Sequence, residues 1–275
     1  VNSSSTAADM DADSLLKLQK IIHEQLRANI HRDRRSLGKI ECELRVGRII
    51  NIEQDERLAR MPMNAGIRQP VILPLRNNIK WVPGVDATTL RVIDDGIHEL
   101  YAKASPAEAE SFVFPHETIE RVLYITRGRN LDYPDDRVRT ILTPSSMSEL
   151  KRPLKHVNIM MPLLPFDLRL SFAEEMDLKQ PEHITPQTVI LVRRRKRVYY
   201  HFPGECWRVD LSQVDKFDPA TTTFSVPLGP NDRPSSVGHE IEFELVNAQD
   251  EDPYTAAESL ISTLGTVLRP LLTQV

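Results

Sequence analysis

The chain has 275 residues, 40% of them hydrophobic and 27% charged, with 10 Gly against 20 Pro. That balance excludes a collagen-like or wholly disordered chain, and no apolar run approaches the roughly 18 residues of a membrane helix. A net charge of −4, from 35 basic and 39 acidic residues, excludes the overall basic bias behind non-specific nucleic-acid binding, and two distant cysteines, Cys42 and Cys206, exclude a disulfide framework.

Residues 1–12 are polar and small; they read as a disordered tail and hold no apolar core of a signal peptide. Residues 13–275 read as one domain. Leu15, Leu18, Ile22, Leu26 and Ile30 stand at helical spacing and predict a first helix over 14–31, capped by Asp13 or Ser14. The period then switches to two, predicting a strand over 40–50. Four prolines between 61 and 84 predict a connecting loop with one short strand at 71–75. A second helix runs from Asp86 to Tyr101 on Leu90, Ile93, Ile97 and Leu100, with Gly96 weakening it. Strands follow at 119–126, 136–142, 154–160, 166–175, 188–202, 205–211 and 239–247. A last helix begins with Pro253 at its first turn and Asp252 as cap, and runs to Leu268. Many strands with few helices predict a barrel or sandwich with helices packed outside.

Alternate residues of a strand share a face. In 40–46, Ile40, Cys42, Leu44 and Val46 form an apolar face; Glu41, Glu43 and Arg45 form the other. In 240–245, Ile241, Phe243 and Leu245 oppose Glu240, Glu242 and Glu244. Arg193, Arg195 and Arg197 share a face between these acidic rows. Trp207, Val209 and Leu211 oppose Arg208, Asp210 and Ser212, and Leu168, Leu170 and Phe172 oppose Asp167, Arg169, Ser171 and Glu175. Any one such strand fits a solvated outer face. Together they fit the inverse arrangement better: charged faces line an inner channel while apolar faces pack outward on the helices. Several carboxylates suit a hard divalent cation, and the planar arginine fork suits phosphate, so the channel is suited to a polyphosphate. On the same argument, removing one carboxylate from the row, as in Glu43→Ala, is expected to relieve repulsion and leave the fold intact while abolishing the activity of the site.

These motifs, Glu41-Cys42-Glu43-Leu44-Arg45, Arg193-x-Arg195-x-Arg197, Arg208-Val209-Asp210-Leu211-Ser212 and Glu240-Ile241-Glu242-Phe243-Glu244, resemble those of the triphosphate tunnel metalloenzymes, within them the metal-dependent RNA 5′-triphosphatases of fungal and protozoal mRNA capping. Trp81-Val82-Pro83-Gly84-Val85 and Asp167-x-Arg169-x-Ser171 running to Glu175 look like the same family, and the resemblance covers 36–248. It implies an α+β fold with an eight-stranded antiparallel β-barrel, charged inside. It implies that Glu41, Glu43 and Glu244 bind Mg2+ or Mn2+, that Glu175 orients the attacking water, that Arg195 and Arg197 contact the γ-phosphate, and that Glu242 supports the site. Arg45, Arg139, Arg169, Arg193, Arg208 and Glu240 would line the phosphates or the tunnel wall, and Asp210 and Ser212 would fix the cations by hydrogen bonds. Arg137 shares the face of Arg139.

The implied reaction is hydrolysis of the γ-phosphate of 5′-triphosphate RNA to a 5′-diphosphate end, the first step of mRNA capping, extending to nucleoside triphosphates, in the nucleus. A guanylyltransferase would be a separate partner, since no lysine nucleophile motif for guanylyl transfer is present. Two rival readings are a tunnel enzyme for inorganic tripolyphosphate or another CYTH-type substrate, and a non-catalytic polyanion-binding barrel. The sequence leaves the oligomeric state open. Cys42 and Cys206 read as thiols packed in the interior, and Trp207 as outer-core packing.

Overall fold

The computed structural model describes residues 12–30, 39–61, 64, 66–74, 78–104, 119–127, 139–142, 148–178, 189–218, 232–248 and 250–272. Of these, 119–127, 139–142, 148–150, 177–178, 189–190 and 272 are described by backbone alone. In chain order the elements are α1 (Ala12–Asn29), β1 (Lys39–Asn51), β2 (Glu56–Arg57), a 3-10 turn (Leu58–Arg60), β3 (Val71–Leu73), β4 (Ile79–Pro83), α2 (Ala87–Lys103), β5 (Ile119–Arg127), β6 (Arg139–Leu142), β7 (Ser148–Met160), β8 (Asp167–Leu178), β9 (Val189–His201), β10 (Trp207–Phe217), β11 (Ser236–Leu245) and α3 (Pro253–Leu272). The expected tail, 1–12, lies outside the described residues except for Ala12, which opens α1. That start displaces the expected cap at Asp13 or Ser14: both sit inside the helix, and Ser14 is buried.

All pairings are antiparallel, and the fold is α+β. The expectation of eight strands is corrected: the described residues form one sheet of eleven, nine of them on a single path, β11-β10-β9-β5-β6-β7-β8-β1-β2. β4 pairs with β1 and β3 with β7 off that path, and β1 also pairs with β11, Glu43 standing opposite Glu244. Of the extra strands, β4 falls in the proline-rich connection read as loop, and β2 lies just before it. They form because β1 runs on past its neighbours β8 and β11 and leaves edges at Gly47–Asn51 that short segments can pair with.

The two faces of the long strands are both buried, for opposite reasons. The outer face joins the helices: Cys42, Leu44, Val46, Leu170, Phe172, Val209, Leu211, Ile241 and Phe243 pack with Leu18, Ile22 and Leu26 of α1, Ile93 and Ile97 of α2, and Leu260, Leu264 and Val267 of α3. Trp207 is fully buried there, its Nε1–H donating to the Ala256 carbonyl of α3 at 2.8 Å. Burying a side chain of this size contributes about 1.5–3 kcal/mol. Helix caps fix the layer: Asp86 accepts from Thr89 N at 2.8 Å, and Asp252 accepts from Thr255 N at 2.9 Å. Gly96 has a packing reason. A Cβ there would lie 2.4 Å from Cγ of Pro270, so glycine lets α2 and α3 close on each other.

A second, smaller apolar cluster joins Ile49, Leu58, Met61 and Met160, with Trp81 against it. Beneath it Arg57 and Asp167 form a buried clasp. Arg57 Nε donates to Asp167 at 2.9 Å, and the guanidinium also donates to the carbonyls of Met161, Leu164 and Phe166. Asp167 in turn accepts from the amides of Ile49 and Met161. The clasp ties the turn between β7 and β8 to β1 and β2. No helix among the described residues is long and apolar enough to cross a membrane.

Candidate active site

The inward faces can be read from the register. On β1 they carry Glu41, Glu43 and Arg45; on β11, Glu240, Glu242 and Glu244; on β10, Arg208, Asp210 and Ser212; on β9, Arg193, Arg195, Arg197 and Tyr199; on β8, Arg169, Ser171 and Glu175; on β7, Lys151, His156 and Asn158. Among these, Glu43, Glu240, Glu242, Asp210, Ser212, Ser171 and Asn158 are buried. Buried charge is tolerated only when paired. Here the pairing is nearly complete.

Glu242 is the hub, its side chain only 4% exposed. It accepts from Arg195 Nη2 at 2.9 Å and is ion-paired with Arg45, whose Nε lies 3.0 Å away, and with Arg197, whose Nη2 lies 3.5 Å away. Arg195 also reaches Glu240 at 3.4 Å. Asp210 holds Arg197 Nη1 at 2.7 Å and Arg208 Nε at 2.7 Å, and Arg208 extends to Glu244. Arg45 closes the circuit on Glu43 at 2.9 Å. β1 and the three consecutive strands β9, β10 and β11 thus share one network of ion pairs.

A second centre lies beside it. Lys151 Nζ contacts Glu41, lies 3.4 Å from Glu175 and stands 3.9 Å from Glu43. Lys151 is the residue that sequence reasoning missed. Pro153 marked a break, so the strand was placed at 154–160. The strand begins at Ser148 and carries Pro153 at a register shift, where a bulge spares the missing amide. Residues 149–153 show no apolar–polar alternation, so nothing in the local pattern marked Lys151 as facing the site.

Environment separates the carboxyls. Burial, then the charge of Glu43, pushes the Glu41 carboxyl well up. Burial also acts on Glu43, but Arg45 and Lys151 outweigh it and hold its carboxyl down. For Glu242 burial is outweighed by Arg195, Arg45 and Arg197, and its carboxyl is held down. Glu244 is pushed up by burial despite Arg208. For Lys151 the burial penalty is outweighed by Glu43 and Glu41, so the ammonium is held firmly charged. Neighbouring carboxyls pushed apart in this way divide between acid–base and cation-holding work.

One expectation is corrected, and two further residues are placed. Ser212 fixes no cation: its buried Oγ has no hydrogen-bond partner among the described residues. Arg139 stands in register with Lys151 across β6–β7, and its side chain, like Arg137, lies outside the described residues. Arg169 stands apart from the network, on Asn158 and Trp81. The cysteines are free, with Cys42 buried.

The donors suit a hard divalent cation. Glu41 and Glu43, two apart on one strand face, converge with Glu175 on a single ammonium, which shows that this point draws in positive charge, and Glu244 stands across from Glu43. Among the described residues, no three His, Cys, Asp or Glu side chains form a ready cage, since Glu244 is turned to Arg208.

A protein-family profile described as mRNA capping enzyme, beta chain, matches residues 11–259. The chain belongs to this family. Its members are the RNA 5′-triphosphatases of mRNA capping, and the chain is a hydrolase of that class. Among solved structures, the Schizosaccharomyces pombe Pct1 RNA triphosphatase in complex with the Spt5 CTD superposes with a TM-score of 0.67 at 17% identity, over 91% of this chain and 93% of that one. Pct1 alone gives 0.60 at 17%, over 93% and 89%. The Mimivirus capping enzyme triphosphatase gives 0.46 at 13% identity, over 92% and 97%. No curated protein sequence matches the chain. At 17% identity the likeness to the two Pct1 structures speaks for the fold alone.

Proposed function

We propose that the strand path from β11 to β1 wraps around a tunnel, that its bore receives the triphosphate end of an RNA chain, and that it releases the γ-phosphate with Mg2+ or Mn2+ as cofactor. The observation that carries this reading is the buried network on the inward faces, where Glu242 and Asp210 hold four arginines in place. The β1–β11 pairing, which joins the two acidic rows, supports the closure. Each guanidinium has five N–H donors, and the ion pairs use only some of them. Arg195, Arg197, Arg208 and Arg45 are therefore pre-aimed donors that can take phosphate oxygens while their carboxylates keep them fixed. Such preorganisation is where phosphoryl transfer gains its rate.

Glu41 and Glu43, with Glu244 opposite, are the residues that would hold the cation. When bound it supplies charge to the phosphate oxygens and polarises the γ-phosphorus. Glu175, half-exposed beside Lys151, orients the attacking water and takes its proton. As the water oxygen bonds to the γ-phosphorus, the bond from that phosphorus to the β–γ bridging oxygen breaks. Orthophosphate leaves, and the RNA keeps a 5′-diphosphate. Lys151 and the arginines offset the charge that gathers on the bridging oxygen.

The same site would accept nucleoside triphosphates, with RNA the preferred substrate. A guanylyltransferase acting on the diphosphate end is the partner that the product chemistry calls for, and the nucleus is the place where it would act. The domain would be a single unit over 13–275. The test is phosphate release from γ-labelled triphosphate RNA with Mg2+, with Mn2+ and with chelator, beside tripolyphosphate and ATP. Metal-dependent release of the γ-phosphate alone, lost in Glu43→Gln, is expected. A preference for tripolyphosphate would favour the inorganic polyphosphatase, and no release from any substrate would leave a polyanion-binding barrel.

A further inference from the structure

The inward rows of β9, β10 and β11 change character along their length. At one end Glu242, Glu244, Asp210, Arg197 and Arg208 are locked together by ion pairs. Beyond Glu240 the carboxylates stop. The β11 row continues as Gly238 and Ser236, and the β10 row as Ser212, Val214 and Lys216. Directly across from Lys216 on β9 stands Arg193, a like charge. The neighbours fix the face: Asp215 and Phe217 turn to the other side of the sheet and engage Arg194 there, so Lys216 stands on the inward side. Its ammonium has no carboxylate partner among the described residues. Like charges opposite each other across a ladder are destabilising, and an anion between them removes the penalty. Gly238 leaves the lane beside this pair open. A Cβ added there would meet nothing nearer than the Val214 carbonyl oxygen at 3.9 Å, so no close approach demands glycine.

Lys216 lies too far along to serve the triphosphate itself. Asp210, which holds Arg197 and Arg208, shares its strand face with Lys216, and the segment between them spans about 20 Å at ~3.3 Å per residue. A triphosphate is three phosphorus atoms joined by single bridging oxygens. One seated with its γ-phosphate on Arg195 and Arg197 is used up short of Lys216. The reaction geometry points the same way. Along β11, Glu244 pairs with Glu43 and Arg208 at one end, and Ser236 pairs with Lys216 at the other. Glu175, the proposed water-orienting carboxylate, belongs to the first end: it stands in register with Lys39 and meets Glu41 at Lys151. Attacking and leaving oxygens lie roughly in line across phosphorus. Water on the Glu41–Glu175 side therefore directs the leaving diphosphate, and the RNA joined to it, toward Lys216 and Arg193.

We infer that the bore is directional, with the RNA chain at the Lys216 end, and that Lys216, with Arg193 opposite, takes the phosphodiester backbone just behind the 5′-triphosphate. A free nucleoside triphosphate has no phosphodiester to offer, so this contact favours RNA over ATP. The inference rests on the proposed function for its substrate, while the backbone contact itself can be measured without hydrolysis.

The experiment uses the full chain and its Lys216→Gln and Lys216→Arg variants. Binding of a short single-stranded triphosphate RNA is followed by fluorescence anisotropy in chelator over a salt series, and KM is measured with the same RNA and with ATP. In Lys216→Gln, RNA binding should weaken about threefold or more at low salt, and the slope of log affinity against log salt should fall by about 0.7, the single-strand value for one phosphate contact. Lys216→Arg should keep the parental slope. In Lys216→Gln the KM for RNA should rise while that for ATP stays within about twofold of the parent, since only RNA reaches the lysine. Parental RNA affinity and salt slope in Lys216→Gln would overturn the contact. An equal rise in KM for ATP would put Lys216 on the triphosphate and overturn the assignment to the RNA chain. Direction is read separately, from a photo-reactive thiouridine as the first nucleotide. It should crosslink to the β10 and β11 ends around Lys216 and Ser236, and crosslinks confined to Lys39, Tyr199 or His201 would reverse the direction. A parent protein with Lys216-dependent RNA binding that releases no phosphate would leave the RNA contact standing and remove the proposed reaction.

Discussion

Glu43 lies between Arg45 and Lys151 and opposite Glu244, and its carboxyl is held below its ordinary value. Removing it therefore does not relieve repulsion, as the acidic row alone suggested; it uncovers two cations. Glu43→Ala should lose stability as well as hydrolysis, while Glu43→Gln, which keeps the shape, should lose hydrolysis with the smaller shift in denaturant midpoint. Lys151→Met is the reverse case. It leaves Glu41, Glu43 and Glu175 facing one another, and breaking a buried pair from one side costs about 3–5 kcal/mol. Protonation of Glu41, already pushed up by burial, offsets that cost, so the deficit in Lys151→Met should shrink as pH falls from about 8 to about 5.5, read by thermal unfolding at each pH. Glu242 gives the opposite slope. Its carboxyl is lower in the fold than in the unfolded chain, where it titrates near 4.3. Its stabilising contribution is present above that value and is lost as pH falls through the folded one. Glu242→Gln should accordingly be less stable than the parent at neutral pH and approach it in acid.

Among the elements, β7 was legible only in its second half. The sequence reading placed a strand at 154–160, but a proline inside a strand is read as its end unless a bulge is known, and a bulge is a property of the pair β7–β8 rather than of β7 alone. Lys151 was hidden by this. β2 and β4 were hidden because segments of two and five residues carry no period to detect; they exist through the overhang of β1. The rows on β1, β8, β9, β10 and β11 were legible because one face was apolar and the other charged over several alternations, and the register sets those charged faces side by side. The Arg57–Asp167 clasp was not, since it joins residues 110 apart. Arg57→Met alone should cost about 3–5 kcal/mol in urea unfolding, and adding Asp167→Asn should recover part of that, because the second change removes the stranded charge. Gly96→Ala, ordinarily helpful in a helix, should here destabilise by about 1–3 kcal/mol through the clash with Pro270, visible as a lower midpoint with unchanged far-ultraviolet dichroism.

On the scale of the whole molecule, the sheet separates an outer apolar layer, shared with α1, α2 and α3, from an inner charged one. Over much of their length the long strands bury both faces, and alternation alone could not decide between a wet charged face and a buried one: both give the same pattern of letters. The register gathers the charged residues on one face of the sheet, and the apolar residues of the other face pack on the helices. The inner layer also sets the thermal behaviour of the fold. Exposing apolar surface raises the heat capacity of the unfolded chain, and exposing polar surface lowers it. A protein that hides Glu242, Asp210, Glu240 and their arginines releases much polar surface on unfolding, so its heat-capacity increment per residue should fall below the usual ~12–15 cal/mol/K. The stability curve of such a molecule is broad: it bends little toward cold, and its ion pairs lose less on warming than its oily layer does, because dehydrating charge becomes cheaper as temperature rises.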